Sequence, residues 1–268
     1  MPTIEANGVT LYYEHQGTGE RLLVISGTGG DLRQQPRPTE GPLGEAFEVL
    51  AYDQRGLGQS SRPEGQSTMA DFAADADALL DAMGWDDCNV IGISFGGMVA
   101  QEVAIRHPDR VRRLVLACTS AGGSGGASYP LHELAKKSPQ EQAATRMQLI
   151  DTRWDAQWQQ DNPEMVTLIG ERFGSNQAAT PGLTNQLTAR AGHDTTGRLG
   201  DIRCPTLVAA GRFDGIAPPA NSEYLARSIP GARLEMFDGG HAFFVQDATA
   251  IPSIISFLQG DTPDPAAP

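Results

Sequence analysis

The most constraining feature of this sequence is a repeated alternation of short apolar runs with helix-length amphipathic segments. Each run is bounded by glycines or polar loops and is apolar on both faces, which is typical of a strand buried inside a sheet. The runs are Leu22–Ile25, Phe47–Ala51, Asn89–Ile93, Leu114–Cys118 and Thr206–Ala210. Strands separated by helices pair in parallel, so the pattern predicts an α/β fold with helices on both faces of the sheet.

Three further strands complete the predicted sheet. Thr3–Ala6 and Val9–His15 flank Asn7-Gly8, a dipeptide that strongly favours a two-residue β-hairpin turn. Leu234–Phe237 is the last apolar run. We therefore expect an eight-stranded, mostly parallel sheet with an antiparallel beginning.

Helix signals lie between these strands. Thr68 can cap a helix in which Asp71 completes the capping pair, and Gly84 suits the end of that helix. Phe95–His107 is a second helical segment, which Pro108 terminates. The remaining predicted helices of this part of the chain are Pro218–Ile229 and Ile251–Leu258.

The alternation is interrupted between Ala121 and Gly200, where no buried strand is visible. The interruption opens with Gly122–Gly126, whose composition predicts a flexible hinge. Helical segments follow at Leu131–Ile150, Asp155–Phe173 and Leu183–Arg190. We therefore expect a core domain of residues 1–121 and 201–260, with a helical cap of residues 122–200 inserted after the sixth strand. The polar, proline-rich tail 261–268 is expected to be disordered.

Four large apolar side chains of this cap have two interpretations. At helical spacing they pack most often into a core, and alternatively they form a pocket wall that faces the main domain. They are Met147, Trp154, Trp158 and Met165.

Composition disfavours several classes of function. The formal net charge is −13, and an acidic chain repels both nucleic-acid phosphates and anionic membranes. No apolar run approaches the roughly 20 residues of a membrane span, and no secretory leader is visible. The cysteines are too sparse for a disulfide framework and lack zinc-ligand spacing, so we expect a cytoplasmic protein without a metal. They are Cys88, Cys118 and Cys204.

The motif with the clearest chemistry is Gly92-Ile93-Ser94-Phe95-Gly96. Such a string arises often in glycine-rich chains, but here it lies between a buried strand and a helix. A serine on that tight turn has a strained backbone and presents its hydroxyl at the edge of the sheet. Gly92 and Gly96 leave room for the turn, and the helix N-terminus favours an oxyanion beside it. The context predicts Ser94 as a nucleophile.

A serine hydroxyl needs a base, and a histidine base needs a carboxylate that orients it. Among the five histidines, His241 follows the last predicted strand, and active-site residues collect in loops at the carboxyl ends of parallel strands. Asp214 follows the seventh strand in the same way. We favour Asp214 as the acid over Asp238, which is expected to cap the turn before His241.

The tetrahedral intermediate of serine attack carries an oxyanion that needs two N–H donors. The backbone N–H of Phe95 is one candidate, and the glycine-rich loop Ser26–Gly30 after the third strand supplies the other. The same loop could be compared with nucleotide-binding loops, but it lacks both the Gly-Lys-Ser/Thr ending and dinucleotide spacing. No nucleotide or other cofactor is therefore expected.

Together these motifs resemble the α/β-hydrolase superfamily, from about Ile4 to Gln259. The chain order Ser94, Asp214, His241 is the order of that fold. Asp53–Ser60 resembles the family's loop after the fourth strand, Gly92–Gly96 resembles its nucleophile elbow, and His107–Val111 resembles its helix-to-strand passage.

Within the superfamily the pattern is most similar to capped 3-oxoadipate enol-lactonase-like serine esterases and lactonases. The resemblance implies that the backbone N–H of Thr28 donates to the oxyanion together with that of Phe95. Ser26 stands where many such relatives have histidine. Ser94 departs from the aspartate nucleophile of haloalkane dehalogenases and epoxide hydrolases, which disfavours those activities.

The expected function is hydrolysis of carboxylic ester or lactone bonds of small soluble substrates through an acyl-enzyme on Ser94. Two alternatives stay open. Cofactor-free perhydrolysis, haloperoxidation and carbon–carbon bond hydrolysis use the same triad, and a hydrolase-fold binding protein would hold a ligand with little turnover. Four arginines are candidates to seat a substrate carboxylate, although solvation is the expected role of most of them: Arg146, Arg153, Arg172 and Arg190.

Overall fold

The computed structural model describes residues 2–167 and 180–261 of the chain. Its strands are β1 (Thr3–Ala6), β2 (Val9–Gln16), β3 (Arg21–Ile25), β4 (Glu48–Tyr52), β5 (Cys88–Ile93), β6 (Val111–Ala117), β7 (Thr206–Gly211) and β8 (Arg233–Phe237). They form one sheet in the order β1-β2-β4-β3-β5-β6-β7-β8. Only the β1–β2 and β2–β4 pairings are antiparallel. The predicted eight-stranded, mostly parallel sheet is confirmed.

The helices follow the sequence signals closely where those signals are strong. Thr68 and Asp71 form the predicted capping box, in which each side chain accepts a hydrogen bond from the backbone N–H of the other residue. The helices are α1 (Gly41–Ala46), α2 (Met69–Ala82), α3 (Phe95–Arg106), α4 (Pro139–Ile150), α5 (Ala156–Asp161), α6 (Pro181–Ala191), α7 (Pro219–Ser228), α8 (Phe243–Gln246) and α9 (Ala250–Gln259). The sequence did not predict α1 and α8.

The sheet has a hydrophobic layer on each face because successive strand residues point to opposite sides. One layer includes Leu23 and Ile25 of β3 and packs against α2, α3 and α7. The other includes Leu22 and Val24 of the same strand and packs against α1, α8 and α9. This three-layer arrangement places the carboxyl ends of the parallel strands along one edge.

The chain between β6 and β7, residues 122–200, is called the insertion below. Its described helices are α4, α5 and α6. The helical stretch expected over Leu131–Ile150 is divided in the structure: a 3-10 helix spans Leu131–Lys136, and α4 begins only after Ser138, whose side chain forms a capping box with Glu141. The helix expected over Asp155–Phe173 begins as α5, and residues 163–167 are helical, but its end lies outside the described residues.

The glycine run at the start of the insertion is packed closely against the rest of the protein. A Cβ on Gly122 would lie 1.9 Å from the His193 carbonyl oxygen, and one on Gly126 would lie 2.2 Å from Asn221 Oδ1. Both glycines have positive φ, 69° and 101°. Their role in this structure is therefore close approach of backbone in left-handed conformations.

Two expectations concern the chain ends and the membrane. The disorder expected over 261–268 falls on residues that lie outside the described part, apart from Asp261. Among the described helices, none combines the length and the apolar character that crossing a bilayer requires.

Candidate active site

Ser94 lies between β5 and α3 with φ 55° and ψ −114°, a conformation that is strained for a residue with a side chain. The glycines around it leave no space for a methyl group. A Cβ on Gly96 would lie 2.0 Å from the Ile25 carbonyl oxygen, and one on Gly92 would lie 2.4 Å from the Gly96 carbonyl oxygen. The strand-to-helix turn is as tight as the sequence indicated.

The structure brings Ser94, His241 and Asp214 together in one hydrogen-bonded chain. His241 Nε2 lies 3.0 Å from Ser94 Oγ, and His241 Nδ1 lies 2.8 Å from Asp214 Oδ2. When Nδ1 carries the proton, it donates to the carboxylate and leaves the Nε2 lone pair facing the serine hydroxyl. In this geometry the imidazole can accept the proton of Ser94.

Asp214 is buried and held from its far side by the backbone. Its Oδ1 accepts hydrogen bonds from the N–H groups of Ile216 and Ala217, both at 2.8 Å. Asp238, the alternative acid, is exposed and pairs with Arg153 at 2.9 Å. The structure therefore connects Asp214, and not Asp238, to the imidazole.

The end of α4 supports both loops that carry the acid and the histidine. The Ile150 carbonyl oxygen accepts a hydrogen bond from the N–H of His241 at 2.6 Å, and that of Leu149 accepts one from the N–H of Gly215 at 3.0 Å. A Cβ on Gly240 would lie 1.9 Å from the Ile150 carbonyl oxygen. The Gly239-Gly240 pair thus permits the direct backbone contact that fixes His241.

The loop after β3 forms a β-turn in which the N–H of Gly30 donates to the Gly27 carbonyl oxygen at 3.2 Å. Gly29 has φ 71°, which is the glycine position of a type II turn. Gly27 and Thr28 line the cavity above Ser94. Among the described residues no oxygen accepts a hydrogen bond from the backbone N–H of Thr28 or Phe95, so both N–H groups are available for an oxyanion.

The cavity that Ser94 and His241 face has a volume of about 330 Å³, near the lower end for small-molecule sites. Its wall is mostly aliphatic. The lining side chains contributed by the insertion are Leu131, Leu134, Arg146, Leu149, Ile150, Leu183 and Leu187. The core contributes Ile93, Ile216, Ala242 and Phe244 to the same wall.

The large side chains considered as pocket wall lie elsewhere. Met147 is buried but does not line the cavity, and Met165 is 44% exposed. Trp154 and Trp158 stack on each other with ring centroids 5.3 Å apart, and neither lines the cavity. Leucines of α4 and α6 take the position that these side chains were considered for.

Cys118 is buried next to the candidate catalytic residues, with its sulfur, an Asp214 oxygen and a His241 nitrogen all within 4.8 Å of one another. Burial and the neighbouring Asp214 carboxylate raise the pKa of this thiol. A metal ion would need the thiolate and would compete with the hydrogen bond between Asp214 and His241. Burial likewise raises the pKa of Cys88 to about 12, so both thiols stay protonated near neutral pH.

The other four histidines do not line the cavity. His15 and His107 each face a carboxylate on the core, and His132 is exposed next to Glu133. His193 is buried in the insertion, where burial lowers its pKa to about 4.

A serine on a strand-to-helix turn, with an aspartate and a histidine on later loops of the same sheet edge, defines the nucleophile-elbow class of hydrolases. Residues 20–248 match the family model described as alpha/beta hydrolase fold. The chain therefore belongs to the α/β-hydrolase fold family, and it is a hydrolase.

Known relatives cover nearly the whole chain. A protein of Azorhizobium caulinodans with the provisional name carbamate hydrolase RutD is 32% identical over 91% of this chain and 92% of its own length. 3-Oxoadipate enol-lactonase 2 of Acinetobacter baylyi is 29% identical over 92% of each chain. The crystal structure of the enol-lactonase from Burkholderia xenovorans LB400 superposes with a TM-score of 0.80 at 27% identity, covering 96% of this chain and 100% of that one. The resemblance to enol-lactonases is confirmed.

Proposed function

We propose that this hydrolase cleaves carboxylic ester or lactone bonds of small substrates through an acyl-enzyme on Ser94. The observation that carries the proposal is the hydrogen-bonded chain Ser94–His241–Asp214, whose serine end faces an apolar cavity. The similarity to two enol-lactonases supports a lactone or ester as the substrate.

In the proposed mechanism, His241 Nε2 takes the proton of Ser94 as Oγ bonds to the substrate carbonyl carbon. The carbonyl oxygen becomes an oxyanion, to which the N–H groups of Thr28 and Phe95 donate. The bond to the leaving oxygen then breaks, and His241 returns the proton to that oxygen. Water attacks the acyl-enzyme with the same base, which releases the acid and restores Ser94.

The size and lining of the cavity favour short acyl groups and small lactones. A cavity of about 330 Å³ lined mostly by aliphatic side chains limits acyl length. Long-chain lipids would need a larger opening or an exposed apolar docking face. We therefore propose a hydrolase of small substrates and not a lipase.

Arg146 is the cavity side chain that bears on substrate charge. It is half-buried on α4, and none of the described carboxylates pairs with it. In an acidic chain whose arginines mostly form ion pairs, an unpaired guanidinium in the pocket favours a substrate that carries its own carboxylate. Arg153, another candidate, is already paired with Asp151 and Asp238.

The proposal is tested with a fluorophosphonate label and a chain-length series of p-nitrophenyl esters beside simple lactones. We expect labelling at Ser94, none in Ser94→Ala, and the highest kcat/KM for short acyl esters or small lactones. A p-nitrophenyl carbamate serves as the comparison for the carbamate-hydrolase relative. Labelling without turnover would favour a binding protein, and an optimum at ten carbons or longer would overturn the small-substrate proposal.

Perhydrolysis, haloperoxidation and carbon–carbon bond cleavage use the same three residues and are measured in parallel. Hydrogen peroxide with a short carboxylic acid tests perhydrolysis, the same mixture with bromide and a halogen acceptor tests haloperoxidation, and a vinylogous diketone tests carbon–carbon bond cleavage. A kcat/KM for one of these above that for every ester and lactone would replace ester hydrolysis as the main activity.

A further inference from the structure

The loop that presents the Thr28 N–H is held from outside by two side-chain amides. Gln54 Nε2 donates to the Ser26 carbonyl oxygen at 2.7 Å. The N–H of Gly29 donates to Gln186 Oε1 at 2.8 Å. Gln54 follows β4 in the core, but Gln186 lies on α6 of the insertion, 157 residues from Gly29 along the chain.

The hydrogen bond from Gly29 fixes the peptide that distinguishes two turn conformers. In the turn Gly27–Gly30 the central peptide joins Thr28 to Gly29, and reversal of that peptide converts a type II turn into a type I turn. Reversal would turn the Gly29 N–H away from Gln186. The Thr28 carbonyl oxygen would then face Gln186 Oε1, and two acceptors cannot form a hydrogen bond. Gln186 therefore stabilises the type II conformer that the loop adopts.

The side chain of Gln186 is poorly explained by stability alone. Gln186 is fully buried, and its Nε2 has no hydrogen-bond partner within the part of the chain that the structure describes. A buried amide N–H group without a partner costs free energy that an apolar side chain of similar size avoids. The neighbouring inward positions, Leu183 and Leu187, are apolar and line the cavity.

The helix that carries Gln186 is attached to the core independently of that residue. Asn185 Oδ1 accepts from the N–H of Ser67 at 2.8 Å, and its Nδ2 donates to the Gly65 carbonyl oxygen at 3.0 Å. The backbones of Gly182 and Gly56 touch, since a Cβ on Gly182 would lie 1.8 Å from the Gly56 carbonyl oxygen. Loss of the Gln186 amide alone therefore leaves α6 docked.

We propose that Gln186 is a positioning residue for the oxyanion loop: it anchors the turn at Gly29, and thereby holds in place the adjoining Gly27–Thr28 peptide whose N–H lies at the cavity. This role rests on the proposed function, because it matters only if an oxyanion forms above Ser94. It also gives one residue of the insertion, Gln186, a role beyond the wall of the pocket.

The test compares Gln186→Met with Asn185→Ala in p-nitrophenyl acetate hydrolysis. Methionine keeps the unbranched shape of glutamine but removes the strong acceptor. Loss of a real oxyanion donor costs roughly 10²–10³ in kcat, and a donor that is only misplaced should cost less, so we expect kcat to fall roughly 10- to 100-fold. KM should stay within about threefold, because the ground-state carbonyl depends little on this donor. The inhibition constant of a short alkyl boronic acid, which mimics the tetrahedral adduct, should rise in parallel.

Stability separates positioning from structural support. The thermal midpoint of Gln186→Met should be unchanged or higher, whereas Asn185→Ala should lower the midpoint and leave kcat within about threefold of wild type. If methionine prevents folding, Gln186→Leu replaces it. A folded Gln186 variant with wild-type kcat would overturn the positioning role, and so would an equal loss of kcat in Asn185→Ala. Absence of wild-type turnover would overturn the proposed function and this role together.

Discussion

Asp214→Asn tests the role of the buried carboxylate without changing its shape. Two backbone N–H groups, those of Ile216 and Ala217, donate to Asp214 Oδ1 at 2.8 Å. In the variant they require the amide oxygen at that position, which places the NH₂ group opposite His241 Nδ1. The imidazole must then accept at Nδ1, carry its proton on Nε2 and face Ser94 as a donor, the wrong tautomer for a base.

The hydrogen bonds of Asp214 set the size of the effect. Rotating the amide to restore the productive tautomer would leave both backbone N–H groups facing an NH₂ group, at about 1–3 kcal/mol each. That total of about 2–6 kcal/mol corresponds to roughly 30-fold to 10⁴-fold in rate. Loss of the negative charge also removes stabilisation of the imidazolium in the transition state, so we expect a fall in kcat near the upper end, about 10⁴-fold.

The assay is steady-state hydrolysis of a short p-nitrophenyl ester, with urea unfolding as the check on folding. Asp214→Asn should keep a free energy of unfolding close to that of wild type, since both backbone hydrogen bonds survive. Asp238→Asn is the matched control: its carboxylate is exposed and pairs with Arg153, so kcat should change less than threefold. A value of kcat within tenfold of wild type for Asp214→Asn, or a larger loss for Asp238→Asn, would refute the assignment of the acid.

Three further changes test other parts of the structure. Gly96→Val places a branched side chain against the Ile25 carbonyl oxygen, so the free energy of unfolding in urea should fall by about 3 kcal/mol or more, and activity should fall with it. Gly200→Ala, in open space, should change neither, and a soluble, fully active valine variant would show a looser turn. Burial lowers the pKa of His193 to about 4, against about 6.5 in the unfolded chain, so the unfolded state gains a proton first as pH falls. The free energy of unfolding of wild type should therefore fall by about 2 kcal/mol more than that of His193→Leu between pH 7 and pH 5. Equal losses in the two proteins would contradict the burial of a neutral imidazole. Arg146→Met should raise KM at least tenfold for esters that bear a carboxylate and leave KM for p-nitrophenyl acetate unchanged, and equal effects on both substrates would remove the anion-binding role.

The sheet was predictable because its signals are local and redundant. Each buried strand combines apolar residues with flanking glycines or polar loops, and the hairpin at Asn7-Gly8 has positive φ at both positions, 48° and 74°, as its dipeptide demands. The Thr68 capping box was predicted for the same reason. Ser138 and Glu141 form an equally local capping box at the start of α4. It lies inside a longer stretch of helical periodicity, which conceals the break between the 3-10 helix and α4.

The short helices could not be predicted from such signals. α1 contains Gly41, Pro42 and Gly44, and none of its residues is buried, so it has no amphipathic period. α8 is a single turn in which Phe243 is buried and stacks on Phe237 with ring centroids 5.1 Å apart. Tertiary packing, not helix propensity, holds such elements.

The three catalytic candidates could be chosen from sequence because each follows a predicted strand at the same edge of the sheet. The pocket wall could not, since a leucine at helical spacing looks alike whether it faces a core or a cavity. Gln186 carried the one available signal: a polar residue between Leu183 and Leu187 on an inward helical face. Its partner, the N–H of Gly29, is a backbone group that no side-chain pattern reveals.

The same limitation explains why the sequence predicts a flexible hinge at Gly122–Gly126, where the structure has closely packed backbone. Two of the insertion's contacts with the loops that carry His241 and Asp214 join backbone atoms: the N–H of His241 donates to the Ile150 carbonyl oxygen, and the N–H of Gly215 donates to the Leu149 carbonyl oxygen. If α4 and α6 moved away together, these N–H groups and that of Gly29 would lose their acceptors, at about 0.5–1.5 kcal/mol each even when water replaces them. The same movement would release the histidine, the acid loop and the oxyanion loop at once. In the proposed mechanism, the docked position of α4 and α6 is therefore the one in which the supports of His241, the Asp214 loop and the oxyanion loop are all in place.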